Sequence, residues 1–255
     1  MSGILLRLAA PMQSWGIAAA FNNRDTHRYP TRSALFGLIA SAYGNTRTTE
    51  PDKEWEQVRL AVRIDRAGTP MTDYHTIGGG RARELTVPTA DGGRRPLPQA
   101  TVVSHRDYLA DAAFTAALDG PENTITGIAR ALVAPHWAPY LGRRSCPPEA
   151  PLLLTPTPIA SAAAELDRVP LARTRPRNAQ DTVPVEFVWE TPSEGDGLWR
   201  SEELPDQPQS FHPHRRAYHD RQVYLQTRAL PAGLCAGYGI DYLTALHAYL
   251  EPATS

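Results

Sequence analysis

The stretch ILLRL at residues 4–8 is the starting point from which the fold can be worked out. Four of its five residues are apolar and Pro11 follows soon afterwards, which predicts a short buried strand. Thr31 is then a plausible helix N-cap, directly after Pro30. Apolar side chains recur at helical spacing over residues 35–42, so we expect a helix after the first strand.

Further elements follow this strand and helix in a regular order. Residues 58–64, VRLAVRI, predict an amphipathic strand, and residues 71–77 predict another extended segment. Residues 106–118 predict a strand, a second helix opens at Asn123 or Thr124 and ends at Pro135, and LLL at 152–154 predicts a last short strand. We interpret this order as the β-α-β-β-α-β series of an α+β, ferredoxin-like domain over residues 1–154.

A polar segment from Gly78 to Ser104 is inserted into the predicted domain. It has Asp91, Gly92 and Gly93 at its middle, and Asp-Gly between extended stretches is typical of a hairpin turn. A long polar segment also fits a disordered loop. We therefore expect either a projecting basic β-hairpin or a disordered loop.

Residues 155–255 are expected to form a small C-terminal β extension with a polar linker. The part from 155 to 215 is rich in Pro, Asp and Glu and contains one clear strand, at 185–189. Residues 222–227 predict the last strand, and residues 242–250 have a partly helical pattern.

Charge is distributed unevenly within a formal net charge of −1. Residues 1–150 carry 17 Lys/Arg against 14 Asp/Glu, whereas residues 151–255 carry 9 against 13. Lys53 is the only lysine among 26 cationic side chains. Arginine suits bidentate phosphate contact, but abundant Ala, Pro and Gly favour biased codon usage as the explanation. Net charge thus gives no general argument for nucleic-acid binding.

The remaining composition predicts a soluble cytoplasmic protein. Cys146 and Cys235 lie far apart without metal-like spacing, so we expect no structural disulfide. The sequence has neither a signal segment nor an apolar run near the roughly 18 residues of a membrane span. It also lacks a P-loop and a dinucleotide-binding glycine pattern, so we expect no cofactor.

The loop PYLGRRSCP at residues 139–147 is the strongest candidate for a binding function. It places Arg143 and Arg144 after Gly142, with Tyr140 just upstream. A stiff, cationic loop with an aromatic face suits a nucleic-acid backbone and an unstacked base. An ordinary charged surface turn would have the same composition, so the loop alone leaves both interpretations open.

Five segments carry a resemblance to a known family. They are LAAPMQSWG at 8–16, YPTRS at 29–33, DYHT at 73–76, RDYLADAAF at 106–114 and PYLGRRSCP at 139–147. Together, in this order, they resemble the CasD family of the type I-E CRISPR interference complex, Cascade. Beyond residue 154 the resemblance is weak, apart from the strand near 223–225.

The resemblance implies a RAMP protein with a ferredoxin-like (RRM/RAMP) core and a β-hairpin thumb, here at about residues 78–104. It implies a non-catalytic subunit that caps the 5′ handle of the CRISPR RNA (crRNA). The implied partners are the Cascade backbone subunit, the large subunit and, within the assembled complex, target DNA recognised by base pairing. No membrane partner is expected.

The resemblance also implies RNA-binding residues. Arg32 and Ser33 open the first helix, where free backbone N–H groups suit a phosphate. Gln13 and Trp15 could bind an extruded base, although Trp15 fits a core position equally well. The other candidates are Arg24, Arg28, Arg81, Arg83, Arg94, Arg95, Arg106, Tyr108, Tyr140, Gly142, Arg143 and Arg144.

Two alternative functions remain open at this point. A metal-independent endoribonuclease that processes precursor crRNA would need an acid and a base, for which His75, Tyr74, His27 and Tyr140 are candidates. No pair among them has a compelling spacing, so we expect no catalysis. A protein-only scaffold is the second alternative. His212, His214 and His219 match no standard zinc ligand set, and we expect no metal.

Overall fold

The computed structural model describes residues 1–17, 22–89, 91–177, 181–192, 198–212 and 214–251. The strands are β1 Ser2–Ala9, β2 Met12–Gln13, β3 Asn23–Arg24, β4 Arg59–Arg66, β5 Thr69–Ile77, β6 Val102–Ala110, β7 Ala113–Gly120, β8 Thr182–Trp189, β9 Leu198–Ser210 and β10 Ala217–Pro231. The helices are α1 Arg32–Tyr43, α2 Glu122–Val133, α3 Ala162–Glu165 and α4 Gly239–Leu250. Short 3₁₀ turns occupy Lys53–Gln57, Arg83–Leu85, Leu97–Gln99 and Ala232–Leu234. Within the described ranges, no helix is both long and apolar enough to cross a membrane.

The main sheet has six strands in the order β1-β7-β4-β8-β10-β9, and all neighbouring strands are antiparallel. Strand β8 pairs with β4, so residues on both sides of position 154 contribute to one sheet. The domain boundary at 154 stays a prediction. Together with the helices, the antiparallel pairing makes this a mixed α/β fold.

Both faces of the main sheet are buried. One face packs on α1 and α2, and the other packs on the segment 154–172 and α4. The predicted strand at 58–64 is therefore confirmed as β4, but its amphipathic character is wrong. Arg63, expected on a polar face, has no exposed surface; it donates to Asp65 and to the carbonyl of Val169.

A second, smaller sheet is built around β6. Strand β5 pairs along one side of β6 over nine residues, while β2 and β3 pair with it elsewhere. The single strand predicted at 106–118 is wrong, because Asp111 adopts a φ of 56° and turns the chain. Strand β6 before this turn and β7 after it belong to different sheets.

The insert at 78–104 begins at the end of β5 and runs into β6. The β5–β6 pair is thus the long hairpin of this region, and most of the insert forms its tip. Around the turn predicted at Asp91, Pro88 and Arg94 form an isolated antiparallel bridge. Thr89 N–H donates to the Gly93 carbonyl, Gly92 N–H donates to the Thr89 carbonyl, and Arg95 N–H donates to the Val87 carbonyl. Ala90 lies outside the described residues.

The apolar run at 152–154 was predicted to be a strand and forms only an isolated bridge. Leu153 lies antiparallel to Leu6, and Leu154 N–H donates to the Leu5 carbonyl at 2.8 Å. The run therefore lies against the outer edge of β1, where three residues are too few to extend the ladder.

The C-terminal extension contains more regular structure than its composition predicted. Strands β8 and β10 confirm the two predicted strands, and α4 confirms the helical tail. The 13-residue β9 was missed because its glutamates and prolines are atypical of strands. It lies at the sheet edge, where proline is tolerated.

Candidate nucleic-acid interface

The loop at 139–147 is an ordered turn anchored to the core. Leu141 is fully buried, and its N–H donates to the Cys146 carbonyl at 2.8 Å. Ser14 N–H donates in turn to the Leu141 carbonyl at 3.2 Å. Gly142 has a φ of 85°, and a Cβ atom there would lie 1.6 Å from the Ser14 carbonyl oxygen. This close approach requires glycine, so the loop has one defined geometry.

Arg143 points back into the protein and joins three segments. Its Cζ lies 4.4 Å from the centre of the Tyr108 ring. Its Nη2 donates to the backbone carbonyl of Arg24 at 2.8 Å and to that of Asp25 at 3.4 Å. Arg143 therefore fastens the loop to β6 and to β3. Tyr108 is buried, and its predicted role in RNA contact stays a prediction that this burial does not favour.

Arg144 and Tyr140 face a groove of about 690 Å³ between α1 and the loop. Among the described residues that line it, three are arginines, three are aromatic and none is acidic. Arg144 is exposed and Tyr140 is partly exposed. The arginines and aromatic residues are Arg47, Arg144, Arg216, Trp137, Tyr140 and Phe211.

A second groove of about 410 Å³ lies beside the first. Arg24, Arg143 and Ser33 line it, together with Gly142. Phe211 and Arg216 line both grooves, so these two residues stand at the boundary between them. Six of the predicted RNA-binding residues thus line the two grooves: Arg24, Ser33, Tyr140, Gly142, Arg143 and Arg144.

Gln13 and Trp15 are core residues in the folded chain, and their predicted contact with a base stays a prediction that nothing in this geometry supports. Both have no exposed surface. The Trp15 indole N–H donates to Gln13 Oε1 at 3.2 Å, and Gln13 Nε2 donates to the carbonyls of Leu8 and Ala112. The Trp15 ring packs edge-on against Phe114. These contacts satisfy both polar groups inside the protein and leave no face for RNA.

A protein carboxylate occupies the start of α1, so the phosphate contact predicted at Arg32 stays a prediction that this geometry does not favour. Arg32 N–H donates to Asp206 Oδ2 at 2.7 Å. The Arg32 side chain is buried and donates to Glu190 and to the carbonyls of Trp55 and Val58. Burial of this guanidinium is offset by its three acceptors, Glu190 and the carbonyls of Trp55 and Val58.

Arg28, Arg106 and the arginines of the insert line neither groove. Arg28 makes a bidentate ion pair with Glu186, at 2.8 and 3.2 Å. Arg94 donates to the Thr86 carbonyl, and Arg106 donates to Ser104 Oγ. Arg81, Arg83 and Arg94 are exposed, whereas Arg95 and Arg106 are partly buried. None of these six residues lines either groove, and their contact with RNA stays a prediction.

The candidate acid–base residues are not assembled at the grooves. His75 Nδ1 lies 3.4 Å from Asp73 on the exposed strand β5, and Tyr74 is 64% exposed beside it. His27 is largely buried, and its Nε2 lies 3.2 Å from Glu202. Burial lowers the pKa of His27. Tyr140 lines the larger groove, but neither histidine lines either one.

The other histidines do not form a metal centre within the described ranges. The His212 and His214 rings lie 5.9 Å apart, and no described group of three His, Cys, Asp or Glu side chains is arranged to hold a metal ion.

Sequence reasoning missed four groove residues. Arg47, Trp137, Phe211 and Arg216 come from three separate segments that only folding brings together. One signal was present, since Arg215 and Arg216 repeat the double arginine of the 139–147 loop.

The model of a CRISPR-associated protein family, Cas5, matches residues 3–224. The chain belongs to this family. The match confirms the predicted resemblance, and a curated relative supports it. The CRISPR system Cascade subunit CasD of Escherichia coli (strain K12) is 39% identical over 166 residues, which are 60% of this chain and 70% of the relative.

Solved Cas structures extend the similarity to the C-terminal extension. A chain of a CRISPR RNA-guided surveillance complex is 44% identical, covers 98% of this chain and all of its own length, and superposes with a TM-score of 0.87. A second Cas protein is 27% identical, with coverage of 93% and 98% and a TM-score of 0.61. The fold of this Cas5-family member is therefore similar to known Cas structures over nearly its full length.

Proposed function

We propose that this chain is a non-catalytic, crRNA-binding subunit of a type I-E Cascade complex and that it caps the 5′ handle of the crRNA. The observation that carries the proposal is the larger groove, which Arg47, Arg144 and Arg216 line together with Trp137 and Tyr140 and which has no carboxylate among its described lining residues. The relatives named for Cascade and for an RNA-guided surveillance complex support it.

The chemistry of the groove suits single-stranded RNA. Exposed arginines attract backbone phosphates, and aromatic rings stack on unpaired bases at about 1–3 kcal/mol per base. Trp137 is 44% exposed and thus offers part of its ring to a ligand. Such contacts recognise backbone and shape, and sequence recognition is left to base pairing between crRNA and target DNA.

We further propose that the core is ferredoxin-like. Strands β4, β7 and β1 are adjacent in the main sheet, and the run 152–154 lies along the free edge of β1. With α1 after β1 and α2 after β7, this arrangement is consistent with a β-α-β-β-α-β unit. The small sheet around β6 is inserted between its second and third strands, and residues 78–104 at its tip correspond to the proposed thumb.

The partners of the proposed function are the crRNA handle, the Cascade backbone subunit, the large subunit and, in the assembled complex, target DNA. A cytoplasmic location is part of the same proposal. The exposed insert arginines, such as Arg81 and Arg83, are available for these partners.

Fluorescence anisotropy with a labelled RNA that carries the repeat-derived handle tests the proposal. We expect wild type to bind and Arg144→Ala to bind at least tenfold more weakly, with a shallower dependence of affinity on salt. Arg130→Ala is the matched control, because Arg130 is exposed on α2 and lines neither groove. Absence of handle binding by the wild-type chain, both alone and with its sister subunits, would contradict the proposal.

The same preparation tests whether the chain cuts RNA. We expect repeat RNA to remain intact in EDTA. Specific cleavage that is abolished by His75→Ala would instead establish the endoribonuclease function.

A further inference from the structure

The turn between β9 and β10 contributes residues to both grooves. Phe211 and Arg216 line the larger and the smaller groove alike, and Tyr218 lines the smaller one. Residues 151–255 are acidic overall, with 9 Lys/Arg against 13 Asp/Glu, yet this turn presents a double arginine. The turn therefore places positive charge where the C-terminal half meets the 139–147 loop.

Local hydrogen bonds connect described residues on either side of position 213. His212 N–H donates to Ser210 Oγ at 3.1 Å, and Arg215 N–H donates to the His212 carbonyl at 3.1 Å. Phe211 is partly buried and Arg216 is exposed. The aromatic side chain is thus held against the protein while the guanidinium faces solvent.

The base of the hairpin is fixed to α1 by buried charges. Arg221 on β10 makes two hydrogen bonds to Asp206 on β9, at 2.6 and 3.0 Å. Asp206 also accepts the Arg32 N–H at the start of α1. Because α1 contributes Gly37, Ala40 and Ser41 to the larger groove, this junction sets the distance between the hairpin and the groove floor.

We infer that the β9–β10 turn is a second wall of the RNA site and separates two consecutive nucleotides. One base lies in each groove, Phe211 stands between the bases, and Arg216 contacts the phosphate that joins them. Trp137 and Tyr140 are the aromatic surfaces for the base in the larger groove, and Tyr218 is the surface in the smaller one. The inference rests on the proposed function, since it requires single-stranded RNA in the grooves.

Two features of the site support this arrangement over a continuous stack of bases. The larger groove is about 690 Å³ and the smaller about 410 Å³, and both have Phe211 in their linings. An RNA strand that occupies both grooves must pass the Phe211 ring. The ring then interrupts stacking between neighbouring bases. Cations are available on either side of the crossing, with Arg144 in one groove and Arg24 in the other.

Photo-crosslinking tests the inference with handle RNA that carries 5-iodouridine at one position at a time. We expect one position to crosslink to the tryptic peptide 131–143, which contains Trp137 and Tyr140. The adjacent position should crosslink to peptide 201–215, which contains Phe211. Phe211→Ala should abolish the second crosslink, and Phe211→Ala and Arg216→Ala should each weaken binding about tenfold.

Matched variants separate this inference from the proposed function and from misfolding. Trp199→Ala and Arg130→Ala alter an aromatic residue and an arginine outside both grooves and should bind as wild type. Phe211→Leu, which keeps apolar packing, should fold normally and still lose the crosslink. If wild type binds handle RNA while the Phe211 and Arg216 variants bind within twofold of it, the inference is wrong and the proposed function stands. If wild type binds no handle RNA, the proposed function fails first.

Discussion

The carboxylate of Asp206 caps α1 through a 2.7 Å hydrogen bond from the backbone N–H of Arg32. The two residues are 174 positions apart, and Asp206 is only 1% exposed. A negative charge at a helix N-terminus is favourable because the first N–H groups lack intrahelical partners. A strand of the C-terminal extension thus completes a helix of the N-terminal region.

Replacing Asp206 should destabilise the whole fold. Asp206→Asn weakens the helix cap and the ion pair with the largely buried Arg221, which keeps Glu190 as its remaining charged partner. We therefore expect a loss of about 3 kcal/mol in the free energy of unfolding. Urea denaturation measures the loss. Asp73→Asn, at an exposed carboxylate, should change the free energy by less than about 0.5 kcal/mol. Equal effects of the two variants would show that the cap is unimportant.

Gly142→Ala should disrupt the 139–147 loop. The φ of 85° disfavours alanine, and the added Cβ would overlap the Ser14 carbonyl. Gly80→Ala measures the effect of the positive φ alone, since Gly80 has a φ of 70° with open space around it. We expect the Gly142 variant to lower the melting temperature clearly more than the Gly80 variant and to weaken RNA binding. Similar melting temperatures would rule out the steric conflict.

Adjacent arginines in the loop should have separable roles. Arg143→Ala removes the Tyr108 contact and the hydrogen bond to the Arg24 carbonyl, and should cost about 1–2 kcal/mol of stability. Arg144→Ala should change stability by less than about 0.5 kcal/mol while weakening handle binding. Urea denaturation of both variants measures stability, and fluorescence anisotropy with handle RNA measures binding. An Arg143→Ala protein as stable as wild type would contradict the separate roles.

Trp15 and Trp137 should respond in opposite ways to substitution. Trp15→Phe removes the indole N–H that Gln13 accepts in the core, so we expect a stability loss of about 2 kcal/mol. RNA affinity of the folded variant should stay within twofold of wild type. Trp137→Ala, at a 44% exposed position, should weaken RNA binding with little change in stability. Loss of RNA affinity in a fully folded Trp15→Phe protein would instead support the predicted contact between Trp15 and an RNA base.

His27 should make stability fall in mildly acidic solution. Burial lowers the pKa of His27 below its usual value of 6.5; Arg28 adds to this effect, whereas Glu202, Asp206 and Asp25 oppose it. Below about pH 6.5 the His27 imidazole therefore binds a proton more readily in the unfolded chain than in the native chain. The free energy of unfolding then declines as the pH falls toward the lowered native pKa.

His27→Gln tests this contribution, since the variant has no imidazole to protonate. Its free energy of unfolding should vary less than that of wild type between about pH 7 and 5. An unchanged pH dependence in His27→Gln would exclude the contribution.

Local sequence pattern predicted the elements whose side chains repeat regularly. The apolar run of β1, the N-cap at Thr31 and the periodicity of α2 were each sufficient to place an element near its observed position. The pattern failed at Asp111, where one residue of positive φ divides a predicted strand into β6 and β7. It also failed at β9, whose prolines are acceptable only because the strand lies at a sheet edge.

Prediction of the site had a different limit. The 139–147 loop was identifiable because glycine, two arginines and a tyrosine are adjacent in sequence. The other side of the larger groove was not identifiable, because Arg47 and Phe211 have no local sequence pattern that distinguishes them from ordinary surface residues. They become groove residues only through the packing of α1 and the β9–β10 hairpin beside the loop.

The sequence by itself determined the family resemblance, most of the helices and strands, and the loop around which the candidate interface is built. Only the tertiary structure decided which cations are available to a ligand. Arg32 and Arg144 look equally suitable in sequence, yet one is buried on acceptors from distant segments and the other is exposed in a groove. The reason is physical: an arginine's role depends on which acceptors the fold brings within hydrogen-bonding distance, and local sequence does not encode those long-range contacts.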